Sequence, residues 1–160
     1  MDQAPSAATT SEAPRGIFSA RVDEKGRLKL PAALKEYVAG FGEGKVFITS
    51  LDRRLARLYP ISVWRSNEKV FDDFEDPEAA EDVAFNANDL GADSEMDEQG
   101  RVLVPQELRR ELALENQPVW LEVYKGPVNI YSKEIYDERK RRASVNLPEK
   151  LSALKKKGLK

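Results

Sequence analysis

Two arginines, Arg27 and Arg101, each follow a glycine and each lie four residues after an aspartate, Asp23 or Asp97. An arginine at such a position suits one kind of chemistry well. Its planar guanidinium donates in a fixed fork that matches phosphate oxygens and the O6/N7 edge of guanine. Gly26 and Gly100 fit a turn position that demands positive φ, which costs other residues about 1 kcal/mol or more. Asp23 and Asp97, at the turn entry, can accept backbone N–H groups. The Asp–Arg pair can also do no more than steady its turn, an effect of roughly 0.2 to 1 kcal/mol. Both readings stay open for each arginine. The first turn is the more basic, because Arg27 is flanked by Lys25 and Lys29, whereas Arg101 has Gln99 and Leu103 as the equivalent neighbours.

Other chemistries have little to work with. The 160 residues contain no cysteine and no histidine, which excludes disulfides, thiolate metal sites, cysteine nucleophiles and the commonest general base. Gly40–Lys45 superficially resembles a phosphate loop, but Val46 stands where that loop needs Ser or Thr, and the spacing is wrong. No enzyme activity, cofactor, metal or small-molecule substrate is expected.

The turns belong to a repeat. Val22–Tyr37 and Met96–Glu111 share a plan 74 positions apart: turn, apolar-x-apolar strand, proline, amphipathic helix. Ile17–Val22 reads as a strand entering the first turn and Arg27–Leu30 as the strand leaving it, together a hairpin. Pro31 and Pro105 stand where a helix can start, because proline's missing N–H is not needed in the first turn. Leu34, Tyr37 and Val38 in one copy, and Leu108 and Leu112 in the other, give apolar faces. Strands follow at Val46–Thr49 and Leu55–Tyr59, then at Val119–Tyr124 and Val128–Tyr131. Amphipathic helices follow near Ile61–Phe74 and Ile135–Ala143. Halves of about fifty residues bury too little apolar surface to fold alone, so one shared barrel or two interlocked sheets is expected, an α+β fold that is mainly β. The divisions are a tail over 1–14, a first repeat over 15–74, an acidic connection over 75–89, a second repeat over 90–143 and a basic tail over 144–160.

Charge is distributed unevenly along the chain. Residues 68–98 hold thirteen Asp/Glu against Lys69 alone, a local charge of -12, while residues 125–160 hold eleven Lys/Arg against four acids, or +7. The acidic connection can be a helix or a mobile link, and its charge argues for a solvated surface. The first fourteen residues, rich in Ala, Ser, Thr and Pro, lack any apolar run suited to a signal peptide or membrane span, and read as a disordered tail of a cytoplasmic protein. A turn tip with Lys25, Arg27 and Lys29 can follow a phosphate backbone and aim a guanidinium at a base edge. Arg53, Arg54 and Arg57 form a second basic turn, which can assist or be a solvated loop. The Arg139–Arg142 and Lys155–Lys157 runs are weaker signals of the same kind.

The paired Asp-Glu-Lys-Gly-Arg and Asp-Glu-Gln-Gly-Arg turns, each followed by apolar-x-apolar-Pro, together with Leu58-Tyr-Pro-Ile-Ser-Val-Trp64, resemble the MraZ family over approximately residues 15–140. The resemblance implies an AbrB-like swapped-hairpin β-barrel built within one chain and assembly into a ring. It also implies a nucleoid-associated DNA-binding repressor of the bacterial division and cell-wall gene cluster, acting on short repeats in its own promoter. The family's Asp-x-x-x-Arg motif maps onto Asp23 with Arg27 and Asp97 with Arg101. The expected DNA contacts are Lys25, Arg27, Lys29, Arg53 and Arg54; the expected structural positions are Asp23, Gly26, Pro31, Asp97, Gly100, Arg101 and Pro105. An AbrB/antitoxin-like protein-interaction module is the alternative. The chain departs from its relatives in its strongly acidic connection, its added N-terminal tail and a second turn without the first turn's lysine.

Overall fold

The computed structural model describes residues 12–160, so the expected tail over 1–14 lies almost wholly outside the described residues. The first repeat forms β1 (Phe18–Arg21), β2 (Arg27–Lys29), α1 (Ala32–Ala39), β3 (Lys45–Ser50), β4 (Ala56–Pro60) and α2 (Ile61–Asp73). After α3 (Pro77–Leu90) the second repeat gives the same order: β5 (Ala92–Glu95), β6 (Arg101–Leu103), α4 (Gln106–Glu111), β7 (Pro118–Val123), β8 (Val128–Tyr131) and α5 (Lys133–Ser144). A last helix, α6 (Leu147–Lys155), follows.

The strands form an antiparallel six-stranded sheet in the order β1-β7-β8-β4-β3-β5 and a separate two-stranded ribbon of β2 with β6. Exchanging each strand with its repeat counterpart reverses the sheet order and leaves it unchanged, the mark of an internal two-fold. The halves are also interlocked. Each repeat's first strand pairs with the other repeat, Phe18 opposite Leu121 and Val46 opposite Ser94.

The fold departs from two expectations. The strands flanking each turn do not make a simple hairpin, because β1 and β2 meet only at the bridge Val22↔Leu28, and β2 takes its ladder partner from β6. The closed barrel implied by the resemblance is not formed either. Each turn redirects the chain so sharply that the ladder breaks at it, leaving β1 and β5 as opposite edges of an open sheet and the ribbon as a second layer.

The core lies between these layers, and the repeat supplies it in matched pairs. Leu28 and Val102, Leu30 and Val104, Leu34 and Leu108, Val38 and Leu112 are all buried in one cluster with Val46, Ile48, Leu58, Leu121 and Ile130 from the sheet. Full burial of one such side chain stabilises by about 1.5–3 kcal/mol, so this shared core offsets the chain entropy that neither half could offset alone. Pro31 and Pro105 are the N-cap residues of α1 and α4, both with φ near the proline value, at -55° and -56°.

The outer face of the sheet is covered by helices. Trp64 of α2 packs on Phe47 and Tyr59, with ring centroids 4.6 and 4.9 Å apart, and Tyr136 of α5 stacks on Trp120 at 4.8 Å. The acidic connection is helical: Asp76 caps α3 by accepting the Ala79 N–H at 3.2 Å, and Pro77 occupies the first turn. Ala80, Ala87 and Leu90 turn inward, and the Thr49 hydroxyl donates to the Ala87 carbonyl at 2.6 Å. Gly91 ends α3 where a side chain would collide with Phe47 and Thr49.

Candidate nucleic-acid interface

The two repeated turns are built by the same bonds. In the first, the Asp23 Oδ1 accepts the backbone N–H groups of Lys25 at 2.9 Å and Arg27 at 2.8 Å, and Oδ2 accepts Arg27 Nε at 3.2 Å. In the second, Asp97 Oδ1 accepts Gln99 N–H at 2.9 Å and Arg101 N–H at 2.8 Å, and Oδ2 accepts Arg101 Nε at 2.8 Å. The backbone bond from Arg27, helped by those from Lys25 and from the guanidinium, holds the Asp23 carboxyl below its ordinary value; the Arg101 backbone and side chain do the same for Asp97. Both carboxylates therefore stay charged across the neutral range. Gly26 and Gly100 have φ of +84° and +80°, the left-handed geometry expected of them.

This arrangement fixes each arginine through Nε alone. The two Nη groups, which form the fork that recognises a guanine edge or a phosphate, have no hydrogen-bond partner among the described residues. Both side chains remain about a third exposed.

The ribbon then brings the two turns together. In the β2–β6 register Arg27 lies opposite Leu103, Leu28 opposite Val102 and Lys29 opposite Arg101. Alternation sends Leu28 and Val102 into the core and places Arg27, Lys29, Arg101 and Leu103 on the outer face. Arg27 and Arg101 are diagonal neighbours in this ladder, so their backbones are roughly 7–8 Å apart. Lys25, Arg27, Arg101 and Leu103 line one shallow surface depression, which Asp93, Ser94 and Glu95 border on the β5 side. The cations are thus interspersed with carboxylates, and the face is not uniformly basic.

The remaining predicted site residues lie elsewhere. Arg53, in left-handed backbone at φ 61°, bonds Asn86 at 2.5 Å, Asp89 at 2.7 Å and Glu111 at 2.9 Å. It thereby ties α3 to α4. Arg54 bonds Glu138 of α5 at 2.6 Å. Arg54 and Arg57 share a cleft of about 350 Å³ with Arg139 and Arg142, floored by Asn129 and Tyr131. The structure therefore groups Lys25, Arg27, Lys29 and Arg101, and places Arg53 and Arg54 at separate ion pairs.

A family model described as "MraZ protein, putative antitoxin-like" matches residues 91–156. A protein of Anaeromyxobacter dehalogenans named transcriptional regulator MraZ is 32% identical over 130 residues, 78% of this chain and 87% of that one. The chain belongs to the MraZ family. A namesake from Acidobacterium capsulatum is 42% identical over 96 residues, covering 59% of this chain and 66% of that protein. Another, from Caldanaerobacter subterraneus subsp. tengcongensis, is 30% identical over 137 residues, covering 84% and 91%. The resemblance carried by the repeated turns is thus confirmed at the level of the MraZ family.

Sequence reasoning missed one pair of residues at this interface. Lys35 of α1 donates to the Glu98 carbonyl in the second turn at 2.5 Å and lies against Gly100; Arg109 of α4 donates to the Val104 carbonyl and packs against Gly26 in the first turn. Each helix thus braces the turn of the opposite repeat. The signal was present, because Lys35 and Arg109 occupy the same repeat position and are both long cations.

Proposed function

We propose that the protein is a sequence-specific DNA-binding transcriptional regulator that reads DNA with the outer face of its β2–β6 ribbon. One observation carries the proposal: two guanidinium groups, each anchored through Nε by an aspartate of its own turn, present Nη groups that have no partner among the described residues on one exposed face. Arg27 is assigned the base-edge contact, and Lys25 and Lys29 the phosphate contacts that set register. Arg101, which the sequence alone leaves as a structural residue, joins this face through the register Lys29↔Arg101. Arg53 and Arg54 hold carboxylates in this fold and would have to give them up to assist.

The interlocked strands fit a swapped-hairpin, AbrB-like arrangement within one chain. A DNA-reading role places the protein in the cytoplasm, associated with the nucleoid; no helix of the described residues is long and apolar enough to cross a membrane. With carboxylates interspersed among its cations, a single ribbon should bind weakly. Several copies in a ring, engaging repeated operator elements, would raise the effective concentration of each later contact. The relatives' name supports transcriptional control; the targets proposed are the division and cell-wall gene cluster and the protein's own promoter, in the sense of repression.

Fluorescence anisotropy on DNA from upstream of the gene, with one, two or three repeat elements, tests this reading. Affinity should climb steeply with repeat number, and log K should fall with log salt by about 0.9 per phosphate contact. Equal affinity for one and three repeats would contradict it. The family description "antitoxin-like" favours a second reading as a protein-interaction module. A stable, stoichiometric partner copurifying in place of DNA binding would select that one.

A further inference from the structure

Two surfaces of the fold expose large apolar side chains and carry opposite charge. α6 buries none of its side chains. Leu147, Leu151 and Leu154 recur on it at the i, i+4, i+7 spacing of one helical face, and all three are exposed, Leu154 to 56%. Lys150, Lys155, Lys156 and Lys157 accompany them, against the single acid Glu149. The second surface belongs to α2 and α3. Val70 and Phe74, one helical turn apart at the end of α2, and Phe85 on α3 are exposed to 60, 48 and 66%. Lys69, Asp72 and Asp73 flank them along α2, and Glu78, Glu81 and Asp82 lie on α3, which contains no lysine or arginine.

An isolated exposed leucine needs no explanation, but a complete unpartnered apolar face on a helix does. Each surface offers what the other lacks: apolar side chains to cover and charge of the opposite sign. We propose that α6 of one copy docks its leucine face and lysines onto the acidic, apolar α2–α3 surface of a second copy. The proposal deepens the self-association reading above and rests on it. Because the two patches differ, the contact is heterologous and repeats head to tail, so it closes into a ring or grows as a filament and does not stop at a two-fold dimer. A contact made by one nine-residue helix falls at the small end of protein interfaces, so each junction is weak and ring closure supplies the avidity. The two charge-rich segments of the chain, its acidic connection and its basic tail, become two sides of one junction.

Native mass spectrometry and light scattering of the full chain provide the test, in three samples. The first carries Leu151→Glu and Leu154→Glu; the second reverses charge at Lys155, Lys156 and Lys157 to Glu; the third reverses Glu78, Glu81 and Asp82 to Lys. Each variant alone should assemble about tenfold less tightly than wild type or worse, with unchanged circular dichroism, since these side chains face solvent. Mixing the second and third samples should restore assembly, because the reversed charges complement each other, and a folding defect would not be rescued this way. A wild-type oligomer whose size all three variants retain overturns the α6 junction and leaves self-association intact. A variant that loses DNA affinity without losing assembly also overturns it, and makes α6 a nucleic-acid contact. A wild type that stays monomeric refutes the self-association reading itself and the junction with it.

Discussion

The two Asp-x-x-Gly-Arg turns share a backbone and differ in their neighbours. Their aspartate bonds and glycine φ values agree closely, 84° against 80°. The first turn packs on the guanidinium of Arg109, which is itself held by the Val104 carbonyl and by Glu115 at 3.1 Å; the second packs on the flexible stem of Lys35. The first carries Lys25 and Lys29, the second Gln99 and Leu103. The repeat thus preserves what positions an arginine, while charge and bracing vary around it. The ribbon register then sets Lys29 opposite Arg101, so the asymmetric turns become parts of one face.

The core beneath that face carries the largest expected effects. Leu28→Ala should destabilise by about 2–5 kcal/mol in urea unfolding, and Val102→Ala by less, since one fewer carbon leaves the core. Equal losses would show that the two strands of the ribbon are not packed alike. Smaller effects belong to the glycines. Gly26→Ala and Gly100→Ala should each cost about 1 kcal/mol for positive φ. Gly26→Ala should cost more, because its new carbon would land on the Arg109 guanidinium, whereas at Gly100 the nearest atom is Lys35 Cδ at 3.0 Å. Removing Arg109 should narrow the gap in melting temperature between the two variants; an unchanged gap would refute the bracing role.

Acid should act on both turns alike. Asp23 and Asp97 both titrate below their ordinary value of 3.8 in the folded chain. The stabilisation they give is therefore complete above about pH 3.8 and is lost as the pH falls through their lower, folded-state values. Asp97→Asn should flatten the acid limb of the stability profile without altering its neutral plateau's slope, and Asp23→Asn should behave alike. A slope that changes near neutrality would assign the pH response to other groups. The smallest expected effect is that of Arg54→Ala. Its exposed pair with Glu138 is worth about 0–1 kcal/mol, and DNA affinity should shift by no more than about twofold.

Much of this was legible in the sequence because it is local. The turn chemistry, the helix starts at Pro31 and Pro105 and the apolar alternation of Leu28 and Leu30 follow from neighbouring residues. Strand partners were not legible. Nothing near Arg27 indicates that it pairs with Leu103 in place of the strand before its own turn. Ion pairing was equally hidden: Arg53 and Arg54 read as a free basic turn, yet their carboxylates come from α3, α4 and α5, distant along the chain. The helicity of the acidic connection hung on Asp76, Pro77 and a face of small residues that its charge obscured.

Gel-shift titration with DNA from upstream of the gene, comparing wild type, Arg27→Ala, Arg101→Ala and Arg54→Ala at one salt concentration, decides whether the ribbon reads DNA. Arg27→Ala should abolish the shift, Arg101→Ala should weaken it, and Arg54→Ala should leave it near wild type, all with oligomer size and circular dichroism unchanged. Wild-type affinity in the Arg27→Ala protein would contradict a ribbon that reads DNA.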